Sequence, residues 1–220
     1  MSPNFSFGRQ HDFYELLADG IVHGIGIVLA VIGISVLVVF AKTQGDMAEL
    51  TAAWVYGIGL VGALSISLFY NMLPHSHLKW IMRRFDHSAI FVLIAATYTP
   101  FLQQGADDPR LHTMLIVVWI AALAGICLKC VFPGRYDRAA IGLYLLLGWA
   151  AALQFGSLSD HLPPLSMMLI VVGGVIYSAG VIFHVWKRLR FQTAIWHSFV
   201  VLGAAVHYSA VVTAFHAGAL

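Results

Sequence analysis

Seven long apolar segments, separated by short polar stretches, follow one another along the chain. About 20 consecutive apolar residues are enough for a helix to cross the ~30 Å hydrocarbon layer of a membrane. The segments cover residues 20–41, 51–73, 87–104, 111–131, 139–157, 165–186 and 194–216. Unbroken runs such as GIVLAVIGISVLVVFA lack the alternation of membrane β-strands, so the pattern predicts helices. Pro100 is expected to end or kink the third helix.

The composition agrees with a membrane protein. Hydrophobic residues make up 60% of the 220-residue chain and charged residues only 10%, whereas soluble domains carry about 25% charged residues. We therefore predict an all-α integral membrane protein of the cell membrane, with residues 1–220 as a single seven-helix domain. Its expected partners are membrane lipids and no nucleic acid, and homo-oligomerisation stays open.

The lysines and arginines predict an orientation. With seven spans, the N-terminus and the second, fourth and sixth loops share one side, and that side holds ten of these residues. They are Arg9, Lys79, Arg83, Arg84, Lys129, Arg135, Arg138, Lys187, Arg188 and Arg190. Lys42 and Arg110 fall on the other side. Cytoplasmic loops are enriched in such cations, so the N-terminus is expected in the cytoplasm and the C-terminus outside.

Two pairs of polar residues lie near the cytoplasmic ends of the first two helices. Asp19 and His23 are four residues apart, which puts them on one helix face. The acid can orient the imidazole as a ligand or general base, or the two can simply cap the helix start. Ser67 and Asn71 have the same spacing, and they suit either a site or a hydrogen bond between helices.

Three further polar residues are candidates in the third and seventh helices. Asp86 is expected to open the third helix, where it serves as a cap or as a functional acid. His197 lies about one turn inside the seventh helix, while His207 is ~15 Å further along the axis and is interpreted as structural. By depth, Asp86 and His197 join Asp19, His23, Ser67 and Asn71 near the cytoplasmic face. We expect these six side chains to converge on one cavity if the helices pack as a ring.

Four segments resemble the bacterial hemolysin III family, which is grouped with the progestin and adipoQ receptors (PAQR) and is related to the alkaline ceramidases. The segments are LADGIVHGIG, SISLFYNMLP, RRFDHSAIFVLIAATYTPF and AIWHSFVVLGAAVHYSAV. The resemblance covers residues 12 to 215 and implies seven helices with a cytoplasmic N-terminus.

The resemblance also implies a zinc site near the cytoplasmic face. Carried over by position, the nearby serine of the receptors is Ser67, the aspartate acting through water is Asp86, and one histidine ligand is His197. The other two histidine ligands fall on Asn71 and Thr193, which are poor zinc ligands beside imidazole. If a metal is bound, we expect His197 and Asp86 to take part. His23 is the first choice of replacement ligand, ahead of His75 or His77 from the following loop.

Three functions remain open at this point. The first is a metal-assisted hydrolase of lipid amides or esters, with Asp86 and Ser67 as catalytic residues and zinc as the cofactor. The second is a non-enzymatic factor that affects bilayer permeability or homeostasis, as the family name implies. The third is a receptor or transporter, which the polar groups at the membrane edge favour least.

Overall fold

The structure is a computed structural model that describes residues 11–44, 46–132 and 134–218. In these ranges it contains seven helical spans long and apolar enough to cross a membrane, and no strand. The helices are α1 (Phe13–Gln44), α2 (Met47–Met72), α3 (His77–Gln103), α4 (Pro109–Val131), α5 (Asp137–Gly148), α6 (Phe155–His161), α7 (Pro164–Val185) and α8 (Gln192–Gly218). A short 3-10 helix, Ala150–Gln154, joins α5 to α6, and together they form the fifth span. The predicted all-α, seven-span class is confirmed.

Short polar side chains begin four of the helices. Asp46, Ser76 and Asp108 each accept a hydrogen bond from a free backbone amide in the first turn of α2, α3 and α4. At the start of α1, Asp12 and Glu15 form a reciprocal capping box, with Glu15 N donating to Asp12 Oδ1 at 2.9 Å and Asp12 N to Glu15 Oε2 at 3.0 Å. The helices therefore begin where the sequence supplies acceptors for their unpaired amides.

The third span differs from its predicted bounds. α3 begins at His77, ten residues before the expected start at residue 87, and Ser76 rather than Asp86 caps it. Asp86 lies within the helix, so the expectation that it opens α3 is wrong. The error arises because the first turns carry cations and lack the apolar run that marks a span. Pro100 stays inside α3, which continues to Gln103.

α3 lies at the centre of the bundle and packs against α2, α4, α5 and α8. In its most apolar 18-residue stretch 61% of the residues are buried, against 11% in the fifth span. Two glycines permit the close packing of α3. A Cβ atom on Gly59 of α2 would lie 2.4 Å from the Cβ of Ala96, and one on Gly125 of α4 would lie 2.4 Å from the ring of Phe91.

The fifth span is irregular at its middle, where a side chain of α3 bonds its backbone. The Tyr98 hydroxyl accepts a hydrogen bond from Ala151 N at 2.8 Å. The same hydroxyl lies 2.9 Å from the carbonyl oxygen of Gly148 and 3.0 Å from that of Leu147, to which it can donate. One tyrosine thus bonds the backbone groups that the break frees, so the irregular segment is satisfied inside the membrane.

The cations gather at one end of the bundle, which we call the cation-rich end. Among the described residues this end holds nine lysines and arginines, while Lys42 and Arg110 lie at the opposite end; Arg9 lies outside the described residues. Some of the nine do more than mark topology. Lys129, which is 1% exposed, and Arg83 each contact one carboxylate oxygen of Asp137 at 2.5 Å. Lys79 donates to the carbonyl of Leu73 at the end of α2.

Candidate metal centre

A buried polar cluster lies at the cation-rich end, where α1 packs against α8. It consists of Asp19 and His23 from α1 and His197 from α8, which are 1%, 0% and 7% exposed. The i, i+4 spacing puts Asp19 and His23 on one face of α1, and His197 lies against them with its ring centre 4.2 Å from that of His23. Buried acids and histidines inside a membrane span are expensive, which makes this cluster the first functional candidate.

Asp19 holds both imidazoles through their Nδ1 atoms. Its carboxylate Oδ1 lies 2.6 Å from His197 Nδ1, and its backbone carbonyl oxygen lies 2.9 Å from His23 Nδ1. A carbonyl oxygen only accepts hydrogen bonds, so His23 carries its proton on Nδ1; a neutral His197 beside the carboxylate does the same. Each ring is then left with a lone pair on Nε2. The sequence pattern paired the Asp19 carboxylate with His23, but its shorter contact is to His197, since His23 Nδ1 is 3.5 Å from Oδ2.

Ser67 and Asn71 of α2 extend the cluster. The Ser67 hydroxyl lies 3.3 Å from His197 Nε2, and the Asn71 amide nitrogen donates to Ser67 Oγ at 3.4 Å. Asp86 of α3 interacts with Ser67 and lies within electrostatic range of His197 and Asp19. All six residues that the depth argument groups therefore lie together, although they come from four helices.

The donor set fits a divalent metal ion such as zinc. One ligand atom from each of Asp19, His23 and His197 can be chosen so that all three lie within 4.8 Å of one another. Zinc takes imidazole nitrogen and carboxylate oxygen at about 2.0–2.2 Å, and catalytic sites use three such ligands. Two atoms of this set, His23 Nε2 and Asp19 Oδ2, are buried without a hydrogen-bond partner, which is costly unless something binds them.

This set differs in one member from the ligands expected from sequence. His197 and His23 are in it, whereas Asp86 is not, and Asp19 takes the carboxylate position. The sequence paired Asp19 with His23 and grouped it by depth with His197, but did not predict it as a metal ligand. Its depth, which matches that of His197, was the one signal for the contact between them.

The comparisons with known proteins agree with this fold. A family model described as "Haemolysin-III related" matches residues 15–208. The chain is 36% identical over 194 residues to the "Hemolysin-3 homolog" of Bacillus subtilis (strain 168), covering 88% of this chain and 91% of that protein. The chain belongs to the haemolysin III-related family. It is also 34% identical over 194 residues to "Hemolysin-3" of Bacillus cereus, with 88% and 89% covered.

The haemolysin III-related family also connects the chain to a eukaryotic protein. "Monocyte to macrophage differentiation factor" of Homo sapiens is 30% identical over 204 residues, covering 90% of this chain and 83% of that protein. The predicted relationship to the PAQR proteins is thereby confirmed, as is the location in the cell membrane as a multi-pass protein.

In this chain Asn71 and Thr193 stand at the two positions where the resemblance implies histidine ligands, and both side chains have other partners. Asn71 donates from its side chain to Ser67, and Thr193 Oγ1 lies 3.3 Å from Nε2 of His11, two residues before the start of α1. Neither residue belongs to the group that can share one ion. In this chain α1 supplies the second imidazole of the cluster, as His23.

His207 lies apart from the cluster. It is ten residues beyond His197 on α8, which corresponds to ~15 Å along the helix axis. Its Nδ1 lies 3.0 Å from the carbonyl oxygen of Gly203, one turn back on the same helix. A single ion cannot bind both histidines, so His207 belongs to a different part of the molecule.

Proposed function

We propose that this protein is a metal-dependent hydrolase of lipid amides or esters, with its ion held by the Nε2 atoms of His197 and His23 and with Asp19 as the acid that orients both rings. The observation that carries the proposal is the pair of buried imidazoles, both held through Nδ1, of which His23 presents an Nε2 atom without a partner. A structural histidine would be expected to use both nitrogens or to reach solvent.

Each residue of the cluster has a role in this proposal. A bound zinc ion would polarise the carbonyl of the substrate and lower the pKa of a bound water. Asp19 would orient both imidazoles and fix their tautomers. Asp86 would position the attacking water, accept its proton and return that proton to the leaving amine or alcohol. Ser67, within reach of both Asp86 and His197, would hold the substrate or that water.

The position of the cluster supports a lipid substrate. The polar groups lie about two turns from the start of α1, near the cation-rich end of a bundle whose outer surface is apolar. The amide or ester linkages of lipids lie at the boundary between headgroups and hydrocarbon, at a comparable depth. With the cation-rich end in the cytoplasm, as the charge distribution predicts, the substrate would come from the cytoplasmic leaflet.

Metal analysis of the purified protein tests the metal centre. We expect about one zinc ion per chain in the wild type, and a loss of most of it in His197→Ala and His23→Ala. His216→Ala is the matched control, because this exposed histidine lies at the opposite end of α8. Asp19→Asn should keep the shape and weaken zinc binding by about 10–100-fold. A wild-type content below about 0.2 ions per chain after reconstitution with zinc would exclude the metal centre.

A lipid-hydrolysis assay separates the reaction from the metal. Asp86→Asn is expected to retain the ion and to lose hydrolysis of short-chain ceramide and phospholipid substrates by at least about 100-fold. Hydrolysis by the wild type that is no faster than by His197→Ala would reject the enzyme and leave the metal centre standing.

A non-enzymatic effect on bilayer permeability is the second candidate, favoured by the names of the two Bacillus relatives. Release of a dye from liposomes measures it directly. Wild-type protein would have to release more dye than an unrelated seven-span protein at the same density, and Asp86→Asn would have to release as much as the wild type.

A further inference from the structure

A second histidine site lies in the half of the bundle away from the cluster. Here α3, the fifth span, α7 and α8 enclose a largely apolar cavity of about 90 Å³, and His207 lines it. Phe155, Met167 and Val171 also line an adjoining apolar groove that runs along α6 and α7. The cavity therefore continues into a groove on the surface that faces the lipid.

The break in the fifth span forms one wall of the cavity. Tyr98, Gly148, Trp149 and Ala151 all line it, and the Tyr98 hydroxyl bonds the freed backbone groups on both sides of the break. In an unbroken helix these backbone groups would be paired within the helix and would not need the Tyr98 hydroxyl. The irregular backbone is thus specifically supported where it borders the cavity, which is where membrane proteins tolerate it.

Two adjacent glycines of α7 shape another wall. A Cβ atom on Gly173 would lie 2.4 Å from Nδ1 of His207, and one on Gly174 would lie 3.3 Å from Cζ2 of Trp149. Both side chains therefore lie directly against the α7 backbone. These glycines of α7 thus make room for a pair of side chains that line the cavity.

The hydrogen bonds leave one polar atom open at this site. The Gly203 carbonyl fixes the proton of His207 on Nδ1, so Nε2 is an acceptor, and it has no hydrogen-bond partner among the described residues. The neighbouring polar groups are satisfied, since Trp149 Nε1 donates to Ser178 Oγ at 3.0 Å and Thr97 Oγ1 to the Leu93 carbonyl at 2.7 Å. None of the residues that line the cavity carries a permanent charge.

We propose that this cavity binds the hydroxyl group of a neutral single-chain amphiphile, whose hydrocarbon tail lies in the groove along α6 and α7. His207 Nε2 accepts the hydrogen bond of the hydroxyl. A carboxylate or phosphate headgroup is excluded, because burying it here would leave its charge uncompensated. The groove admits the tail directly from the bilayer. This site is separate from the metal centre and does not depend on it.

Quenching of Trp149 fluorescence by 2-bromododecan-1-ol tests the proposal on the purified protein in detergent micelles. The matched probe is the methyl ether of the same compound, which keeps the bromine and the chain but cannot donate a hydrogen bond. The protein has six tryptophans, so the Trp149 signal is the difference between the wild type and Trp149→Phe. We expect saturable quenching by the alcohol, with the ether binding about tenfold more weakly.

The variants then locate the contact. His207→Leu should reduce the preference for the alcohol over the ether to about one, while His216→Leu on the same helix should retain the tenfold preference. Treatment with a zinc chelator should change neither. Equal quenching by both probes in the wild type overturns the proposal without any variant having to fold, and so does an unchanged preference in His207→Leu.

Discussion

His197 and His207 lie ten residues apart on one helix and differ in what holds their Nδ1 atoms. A buried carboxylate from α1 holds His197, and a backbone carbonyl of α8 itself holds His207. The first arrangement requires two helices from opposite ends of the sequence, whereas the second is complete within one helix. The orientation of His197 therefore depends on the packing of α1 against α8, whereas the bond that orients His207 needs no second helix.

The surroundings of the two histidines differ in the same way. The cluster around His197 is enclosed by α1, α2, α3 and α8, and its members are almost fully buried. The region around His207 borders the fifth span, which is the least buried of the seven. The bundle thus combines a tightly packed half with a half that keeps space beside a broken helix.

Among the variants that test the contrast between the two halves of the bundle, Asp137→Asn is expected to lower the stability most. Asp137 joins the start of the loosely packed fifth span to Arg83 of α3 and to the buried Lys129 of α4. Its removal leaves a buried ammonium group without its acid, so the free energy of unfolding should fall by about 3 kcal/mol. Denaturation in mixed detergent micelles measures this change.

Asp12→Asn is the control for that variant. Asp12 contacts Arg190 at 3.7 Å, but the two side chains are 49% and 65% exposed. An exposed pair of this kind contributes about 0.5 kcal/mol or less. Equal losses in the two variants would show that the Asp137 contacts do not anchor the fifth span.

Gly59→Ala and Gly142→Ala compare the two packing regimes directly. A methyl group on Gly59 meets the Cβ of Ala96 at 2.4 Å and should destabilise the bundle by about 2 kcal/mol. Gly142, inside α5, has no atom within 4 Å of the added carbon, so alanine there should stabilise the helix by up to about 1 kcal/mol. If both variants change the free energy of unfolding in the same direction, the two halves of the bundle do not differ in packing as described.

Tyr98→Phe is expected to have the smallest effect on stability, about 1 kcal/mol. The effect should be confined to the break in the fifth span. The substitution removes the hydrogen bond to Ala151 N and the donor to the Gly148 carbonyl. Hydrogen exchange of residues 148–154 should therefore become faster. Tyr208→Phe, which breaks a bond to the Gly33 carbonyl, should leave this peptide unchanged.

Much of the fold could be predicted because a membrane imposes a simple requirement on length and polarity. Each of the seven predicted segments overlaps one observed span, and only the third begins as many as ten residues late. The start of α3 was missed because its first turns carry Lys79, Arg83 and Arg84, which are typical of a loop. The break in the fifth span was also missed, since WAAAL is apolar and Tyr98, which bonds the freed backbone groups, lies on another helix.

The sequence predicted the depth of the candidate-site residues in the membrane, but it did not predict which of their side chains contact each other. Position along a helix gave a similar depth to Asp19, His23, Ser67, Asn71, Asp86 and His197, and they lie together. Which side chain meets which depends on the rotation of each helix, and a nearly uniform apolar surface contains little information about rotation. The contact between Asp19 and His197, 178 residues apart, is of this kind.

That separation has a consequence for how the protein is made. Asp19 and His23 enter the membrane with the first span to be synthesised, and His197 arrives with the last. Until then the acid lies in a transmembrane segment without its partner, which is unfavourable. Insertion of α8 removes this cost only if all the spans between have the right order and direction. The last helix therefore completes the centre, and the completed centre requires a correctly assembled chain.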